Sequence, residues 1–275
     1  AYRAAMTHAA HAAATCGGQD AAQLDKADAA GGKDVNQQAP AGESAYCIHN
    51  FDQRAPIIEF THQDLPKRLC VEQCGATSPG FVQCTSSVCW PTAPLMAKYL
   101  CEHRALIAGR CVLELGAGPG LVGAVAAALG ACRIVLTDSE GTLPLLRQNK
   151  DRLQEQGISF EVARVEWGRS EDHEAVLRSQ LNGFDVILGS DVVLAGFDSQ
   201  KLFESCCALL SCTPGSQVII GFEFREDWET IGTFIGWAEA AGFDVFFETL
   251  GGDNGNEEDV DDGCDFTVYT FTRPP

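Results

Sequence analysis

Val112-Leu113-Glu114-Leu115-Gly116-Ala117-Gly118-Pro119-Gly120 reads as a buried strand that ends beside an acid and breaks into a glycine turn. An apolar, alanine-rich helix follows over 121–129, and Gly130 can end it in a left-handed conformation. Strand, turn and helix form a nucleotide-cradling unit, because glycines let the backbone approach a ligand that a Cβ would hold off. Downstream the chain alternates, with strands at 133–138, 160–164, 184–189 and 217–224 and helices at 171–181, 200–210 and 231–241. This alternation predicts an α/β, doubly wound, mostly parallel sheet covered on both faces. The end departs from the pattern. Strands at 244–249 and 266–271 have no helix between them, which predicts a closing antiparallel hairpin.

Which nucleotide the turn suits depends on where the spacing is counted from. Gly118, Gly120 and Gly123 spell GxGxxG, the dinucleotide fingerprint, in which a helix N-terminus faces a pyrophosphate. Counted from Glu114 the same stretch is ExGxGxG. A carboxylate there repels a pyrophosphate but can pair, directly or through water, with the amino group of a bound amino acid. S-adenosylmethionine (SAM) carries that group and no phosphate. Asp138 ends the next strand, where a carboxylate can accept both ribose hydroxyls; that suits NAD and SAM equally. Glu114 favours SAM, and a purely structural glycine turn is the third reading.

The 275 residues, 45% of them hydrophobic, suffice for one sizeable α/β domain with appendages. Net charge is −19, from 38 acidic and 19 basic residues, which argues against a protein that wraps nucleic acid. No apolar run approaches the ~20 residues of a membrane span, and nothing near the N-terminus resembles a secretory signal. The expected location is the cytoplasm, with the nucleus second; residues 1–15 contain no acid, which keeps a transit peptide in play. Thirteen cysteines, several in predicted core elements (Cys111, Cys132, Cys206, Cys207), read as reduced thiols. The Cys70/Cys74 and Cys84/Cys89 spacings are not those of zinc knuckles, and no metal is expected.

Residues 1–45 are poor in aromatic and branched apolar residues and are expected to form a disordered tail. An N-terminal β-hairpin extension is expected within 46–90, with strands at 57–60 and 69–72 either side of Pro66, and the main domain over 91–275. A helix over 92–107 should open at Trp90-Pro91 and bury Leu95, Met96, Tyr99 and Leu100. The stretch 251–263 carries Asp253, Glu257, Glu258, Asp259, Asp261 and Asp262. It reads as a solvated hairpin loop; the sharper alternative is that it attracts a lysine-rich target.

The chain resembles the seven-stranded SAM-dependent methyltransferases, in their lysine-directed branch of the methyltransferase-like protein 21 type. The resemblance covers roughly 57–273. Its markers are CWPTAPLMAKYL at 89–100, VLELGAGPGLVG at 112–123, Asp138, Trp167-Gly168, FDVILGSDVV at 184–193, Arg225 and the closing hairpin. It implies a Rossmann-like seven-stranded sheet and SAM-dependent methylation of lysine side chains in a protein substrate. A methyltransferase for small molecules or other side chains, and a catalytically silent SAM-fold scaffold, are the alternatives. The resemblance further implies that Trp90 lies near bound SAM and that Gly116, Ala117 and Gly118 pass beneath its methionine and ribose portions. By the same carry-over Asp138 binds the ribose hydroxyls, Trp167 lines the adenine pocket and Ser190 borders the sulfonium. Asp191 corresponds to the catalytic acid of an Asp-x-x-Tyr/Phe motif. Here the motif reads Asp191-Val192-Val193-Leu194, without the ring that shapes the lysine channel in the family. Trp228 and Trp237 have no matching position and read as packing residues.

Overall fold

Alternating apolar residues point Ile58 and Phe60 inward on β1 (Ile57–Phe60) and Leu69 and Val71 inward on β2 (Leu69–Glu72). The two strands pair antiparallel, with Ile57 opposite Glu72 and Phe60 opposite Leu69. Their inward side chains share one core with Met96, Leu100, Leu121 and Leu129. The computed structural model describes Asp52 and residues 54–74, 85–224, 228–250 and 266–274. The tail 1–45, Cys84, Arg225 and the acidic stretch 251–263 lie outside the described residues, as does the side chain of Trp228.

α1 (Thr92–Glu102) is shorter than expected. His103 leaves helical geometry at φ −114°, ψ 40°, and a 3-10 turn, Arg104–Leu106, replaces the last helical turn. The His103 ring stacks on Tyr99, and Arg104 turns back to donate from Nε to the Leu129 carbonyl at 3.1 Å. At this end the His103 N–H donates to the Tyr99 carbonyl at 2.9 Å, and the chain then tightens into the 3-10 turn, closed by the Ile107 N–H on the Arg104 carbonyl at 3.0 Å.

The remaining elements alternate: β3 (Cys111–Leu115), α2 (Leu121–Ala128), β4 (Arg133–Asp138), α3 (Leu143–Glu155), β5 (Glu161–Arg164) and α4 (Ser170–Leu177). They continue as β6 (Val186–Ser190), α5 (Ser199–Leu209), β7 (Gln217–Glu223), α6 (Trp228–Ala240), β8 (Asp244–Leu250) and β9 (Phe266–Thr272). Seven strands form one sheet in the order β5-β4-β3-β6-β7-β9-β8. The pairs from β5 to β7 are parallel, and β9 is antiparallel to both β7 and β8, as the missing helix foretold. The strand order reverses beside β3, between β4 and β6; ligands of open α/β sheets collect at such a switch point, beyond the carboxyl ends of the strands.

α3 is absent from the elements expected from the sequence. Its buried leucines (Leu143, Leu145, Leu146, Leu153) and its early Pro144 carry the helical signal. Its fully buried Asn149 matters for the site. The side-chain amide donates to the carbonyls of Glu72 (2.8 Å) and Pro119 (2.9 Å), and its oxygen accepts the Glu72 N–H (2.8 Å). One side chain therefore ties the N-terminal hairpin to the glycine turn. α4 ends before Leu181, which is 87% exposed rather than helical core. On α6 the inward residues are Ile231, Phe234 and Ala238, and Trp237 packs on Phe203 at 6.1 Å. The described cysteines are free thiols. No described helix is long and apolar enough to cross a membrane.

Candidate active site

β3 is buried from Val112 to Leu115, and Glu114 near its end is 1% exposed. Its Oε2 accepts the N–H of Gly123, in the first turn of α2, at 2.9 Å. A Cβ at Gly123 would stand 2.5 Å from that oxygen and 2.6 Å from the Leu136 side chain. Gly123 thus performs close helix-on-strand packing, the task of the third glycine in a dinucleotide fingerprint. This is why spacing alone fitted both nucleotides. Gly123→Ala is expected to cost about 1–3 kcal/mol through overpacking, lowering the melting temperature by roughly 3–8 °C. A thermal melt without ligand checks this, and an unchanged midpoint contradicts it.

The turn is held from the neighbouring strand. Gly118 adopts φ +54°, a left-handed conformation that a Cβ strains, and its N–H donates to Asp138 Oδ2 at 2.8 Å. Asp138 Oδ1 accepts the Ser139 N–H at 2.7 Å and lies 3.3 Å from the Ser139 hydroxyl. Burial pushes the Asp138 carboxyl up from its ordinary value, while these backbone N–H groups hold it down. The hydroxyls of Thr142 and Ser139 share this carboxylate with the two backbone N–H groups, so its roughly four acceptor positions are taken, and ligand hydroxyls would bind it by replacing those two side-chain donors.

At the end of β6 the backbone is strained. Asp191, with φ +57°, is the one non-glycine residue in the left-handed region among the described residues. Its N–H donates to the Gly221 carbonyl at 2.8 Å, which holds the unusual conformation in place. Asp191 is 6% exposed. Asp191 is not the cap of the following helix α5; that cap is Asp198, through a 3.0 Å bond from the Lys201 N–H. The adjacent Ser190 hydroxyl is buried and has no hydrogen-bond partner among the described residues. An orphaned buried hydroxyl in a cavity wall is a natural contact for a ligand.

These elements enclose a cavity of about 400 Å³. Trp90, Glu114, Gly116, Ala117, Gly118, Asp138, Trp167, Ser190 and Asp191, the nine residues singled out from the sequence, all line it. The Trp90 indole donates to the Thr85 carbonyl at 2.9 Å. A Cβ on Gly116 would come within 2.8 Å of Val192 and 3.4 Å of the Trp167 ring.

Sequence reasoning missed three parts of the wall. One is the 3-10 turn Thr85–Ser87, whose Ser86 carbonyl crowds Gly118. The second is Phe197, brought beside Leu194 by a turn in which its N–H donates to the Leu194 carbonyl at 3.1 Å. Its ring tilts against Trp167 at 6.5 Å. The third is Lys201, the one cation among the described lining residues, paired with Asp198 at 2.7 Å. Phe197 left a signal, a ring three positions beyond the one absent at 194. The other two left none that spacing could reveal.

The charge of the wall selects the ligand. Asp138, Glu166 and Asp191 line the cavity with Asp198, which occupies the one cation among the described lining residues, and Glu114 adds a fourth acid to the wall outside that pair. A pyrophosphate would be repelled, while a ligand with an ammonium and a sulfonium would be attracted. Burial pushes Glu114 up to about 8, so without ligand it is neutral at pH 7. A cation beside it restores the carboxylate. Acid lining, glycine floor and orphaned serine hydroxyl fit SAM.

Comparison with known proteins agrees with this chemistry. A family profile described as lysine methyltransferase matches residues 80–237. Histone-arginine methyltransferase METTL23 of Mus musculus is 32% identical over 150 residues, 54% of this chain and 57% of that protein. Protein N-lysine methyltransferase METTL21A of Danio rerio is 38% identical over 110 residues, 39% of this chain and 48% of that protein. The chain thus spans about half the length of these relatives. Among solved structures, the [4+2]-cyclase SpnF superposes with a TM-score of 0.50 at 15% identity. That match covers 72% of this chain and 87% of SpnF, a likeness of fold alone.

Proposed function

The chain belongs to the lysine methyltransferase family, and from that premise we propose that it transfers a methyl group from SAM to a lysine side chain of a protein substrate. The observation that carries the proposal is the acid-lined, glycine-floored cavity at the switch point of the sheet, within the matched span. When bound, SAM supplies a methyl group made electrophilic by positive sulfur. In the proposal Asp138 holds the ribose hydroxyls, Glu114 faces the amino-acid end, Trp167 walls the adenine side, and Ser190 and Asp191 flank the point of transfer.

Attack by a neutral amine on a sulfonium creates little new charge, so alignment and exclusion of water contribute most of the acceleration. Lysine reaches the site protonated. With a pKa near 10.4, removing that proton at pH 7 costs about 4–5 kcal/mol. Asp191, buried and fixed by its left-handed backbone, orients the ammonium before its proton leaves. Asp191→Asn keeps a residue type that tolerates this conformation. It should lower kcat about 100-fold with cofactor Kd within about 3-fold, by calorimetry and single-turnover kinetics. An unchanged kcat removes Asp191 from the mechanism.

The partner in this reading is a protein with a lysine-rich exposed segment, which suits a chain of net charge −19. We place its site of action, as part of the same proposal, in the cytoplasm, with the nucleus second because some relatives are named for histones. Those relatives also make arginine the second acceptor to test. Incubation with methyl-labelled SAM and a cell extract, followed by mapping of the labelled residue, decides. Methyl-lysine supports the proposal and methyl-arginine the second reading. Absence of both label and SAM binding overturns both.

A further inference from the structure

Two thiols meet at the opposite end of the strands from the cavity. Cys111 opens β3 and Cys132 immediately precedes β4, in a parallel pair that sets Cys111 opposite Arg133. Their sulfurs are 3.2 Å apart although the residues are 21 positions apart in sequence. Both backbones are anchored. The Cys132 N–H donates to the Arg110 carbonyl and the Cys111 N–H to Asp185 Oδ2, each at 2.9 Å. Arg133 beside them grips Glu161 through two 2.8 Å bonds, which fixes the start of β4. The chain between the two sulfurs consists of β3, the glycine turn and α2, the whole floor of the cavity.

We propose that Cys111 and Cys132 are an oxidisable dithiol, a reversible disulfide site that staples the cradling segment into a closed loop when hydrogen peroxide supplies the oxidising equivalents. Cys132 is exposed and Cys111 half-buried, so the oxidant meets Cys132 first. Burial, helped by the contact with Cys132, pushes the Cys111 thiol up to about 11 and keeps it protonated. The Cys132 sulfur attacks one peroxide oxygen, the O–O bond breaks, and a sulfenic acid and one water result. The Cys111 sulfur then attacks the Cys132 sulfur; the S–O bond breaks, the S–S bond forms, and the oxygen leaves as a second water with the Cys111 proton. Two electrons pass from the thiols to the peroxide. A bond of about 2.0 Å is within reach of a side-chain rotation at exposed Cys132.

Closing this loop restricts the unfolded chain more than the folded one. The sulfurs sit where the strands start and the ligand residues where they end, so the staple should stabilise the floor of the cavity without altering cofactor affinity. Methyl transfer is not required for any part of this inference.

The test uses the full chain, reduced, desalted and treated with hydrogen peroxide. Peptide mapping without reductant should yield one cross-linked pair joining Cys111 and Cys132, about 2 Da lighter than the two peptides together. The melting temperature should rise by about 5–10 °C and return with dithiothreitol. Cys132→Ser, at an exposed position, should show neither change. Over-oxidation of Cys132, or its pairing with another cysteine, in place of the Cys111 link overturns the site. A Cys111–Cys132 link without a higher midpoint overturns the staple.

Discussion

Asp138→Ala is expected to raise the Kd for SAM at least 100-fold. The side chain is 4% exposed, and both of its oxygens already hold backbone: Gly118 on one side, Ser139 on the other. In the proposed complex it also accepts two ribose hydroxyls. Hydrogen bonds to a charged acceptor contribute about 1.5–3 kcal/mol each, so losing two gives about 3–6 kcal/mol. Alanine also frees the turn that Gly118 anchors, so the melting temperature should fall by several degrees. Asp138→Asn separates the two effects, because one acceptor oxygen remains for the turn while the charge is lost. It should melt closer to the parent yet bind SAM poorly. Calorimetry on both variants, with circular dichroism to establish folding, checks the prediction. A folded Asp138→Ala protein with parental affinity would remove the ribose assignment.

Glu114→Gln should change stability and binding in opposite directions. Burial raises the folded-state value of Glu114 from 4.5 to about 8, and unfolding returns it to near 4.5. Between those values the folded chain keeps a proton that the unfolded chain has released, so stability falls as pH rises from about 4.5 and levels off above about 8. The difference corresponds to roughly 4–5 kcal/mol lost from the ligand-free protein across that window. Asp138, also raised by burial, adds in the same direction. Glutamine cannot ionise, so the variant should be more stable than the parent above pH 8 and similar near pH 4. Its oxygen can still accept the Gly123 N–H. Binding should suffer, because the cofactor's ammonium then lacks an anionic partner; a Kd about 10–100-fold higher is expected. For the parent at pH 7, binding should expel about one proton, read by calorimetry in two buffers of different ionisation heat. Heat independent of buffer would show that Glu114 does not face that end of the ligand.

The cofactor half of the site was legible because it is written in local chemistry. Glu114, the glycines and Asp138 occupy consecutive strand ends, and short turns leave little freedom in where such residues go. The three walls missed from sequence come from contacts between distant segments. The 85–87 turn is held at the cavity by the Cys74 N–H on the Ser87 carbonyl (2.9 Å) and the Cys89 N–H on Gln73 Oε1 (2.8 Å), both from the end of a hairpin that Asn149 of α3 ties to Pro119. Phe197 reaches it through a tight turn after a strained aspartate. Lys201 arrives because its stem packs on the bare face of Gly168.

Periodicity, glycine placement and two acids at strand ends were enough for the alternating sheet, its antiparallel close and a ligand without phosphate, since each depends on a few neighbouring residues. Tertiary packing alone decided which side chains are dry. Burial raises the Glu114 carboxyl to about 8, leaves the Ser190 hydroxyl without a partner among the described residues, and folding brings two thiols 21 positions apart to 3.2 Å. Desolvation and proximity of this kind arise only when separate parts of the chain close over one another.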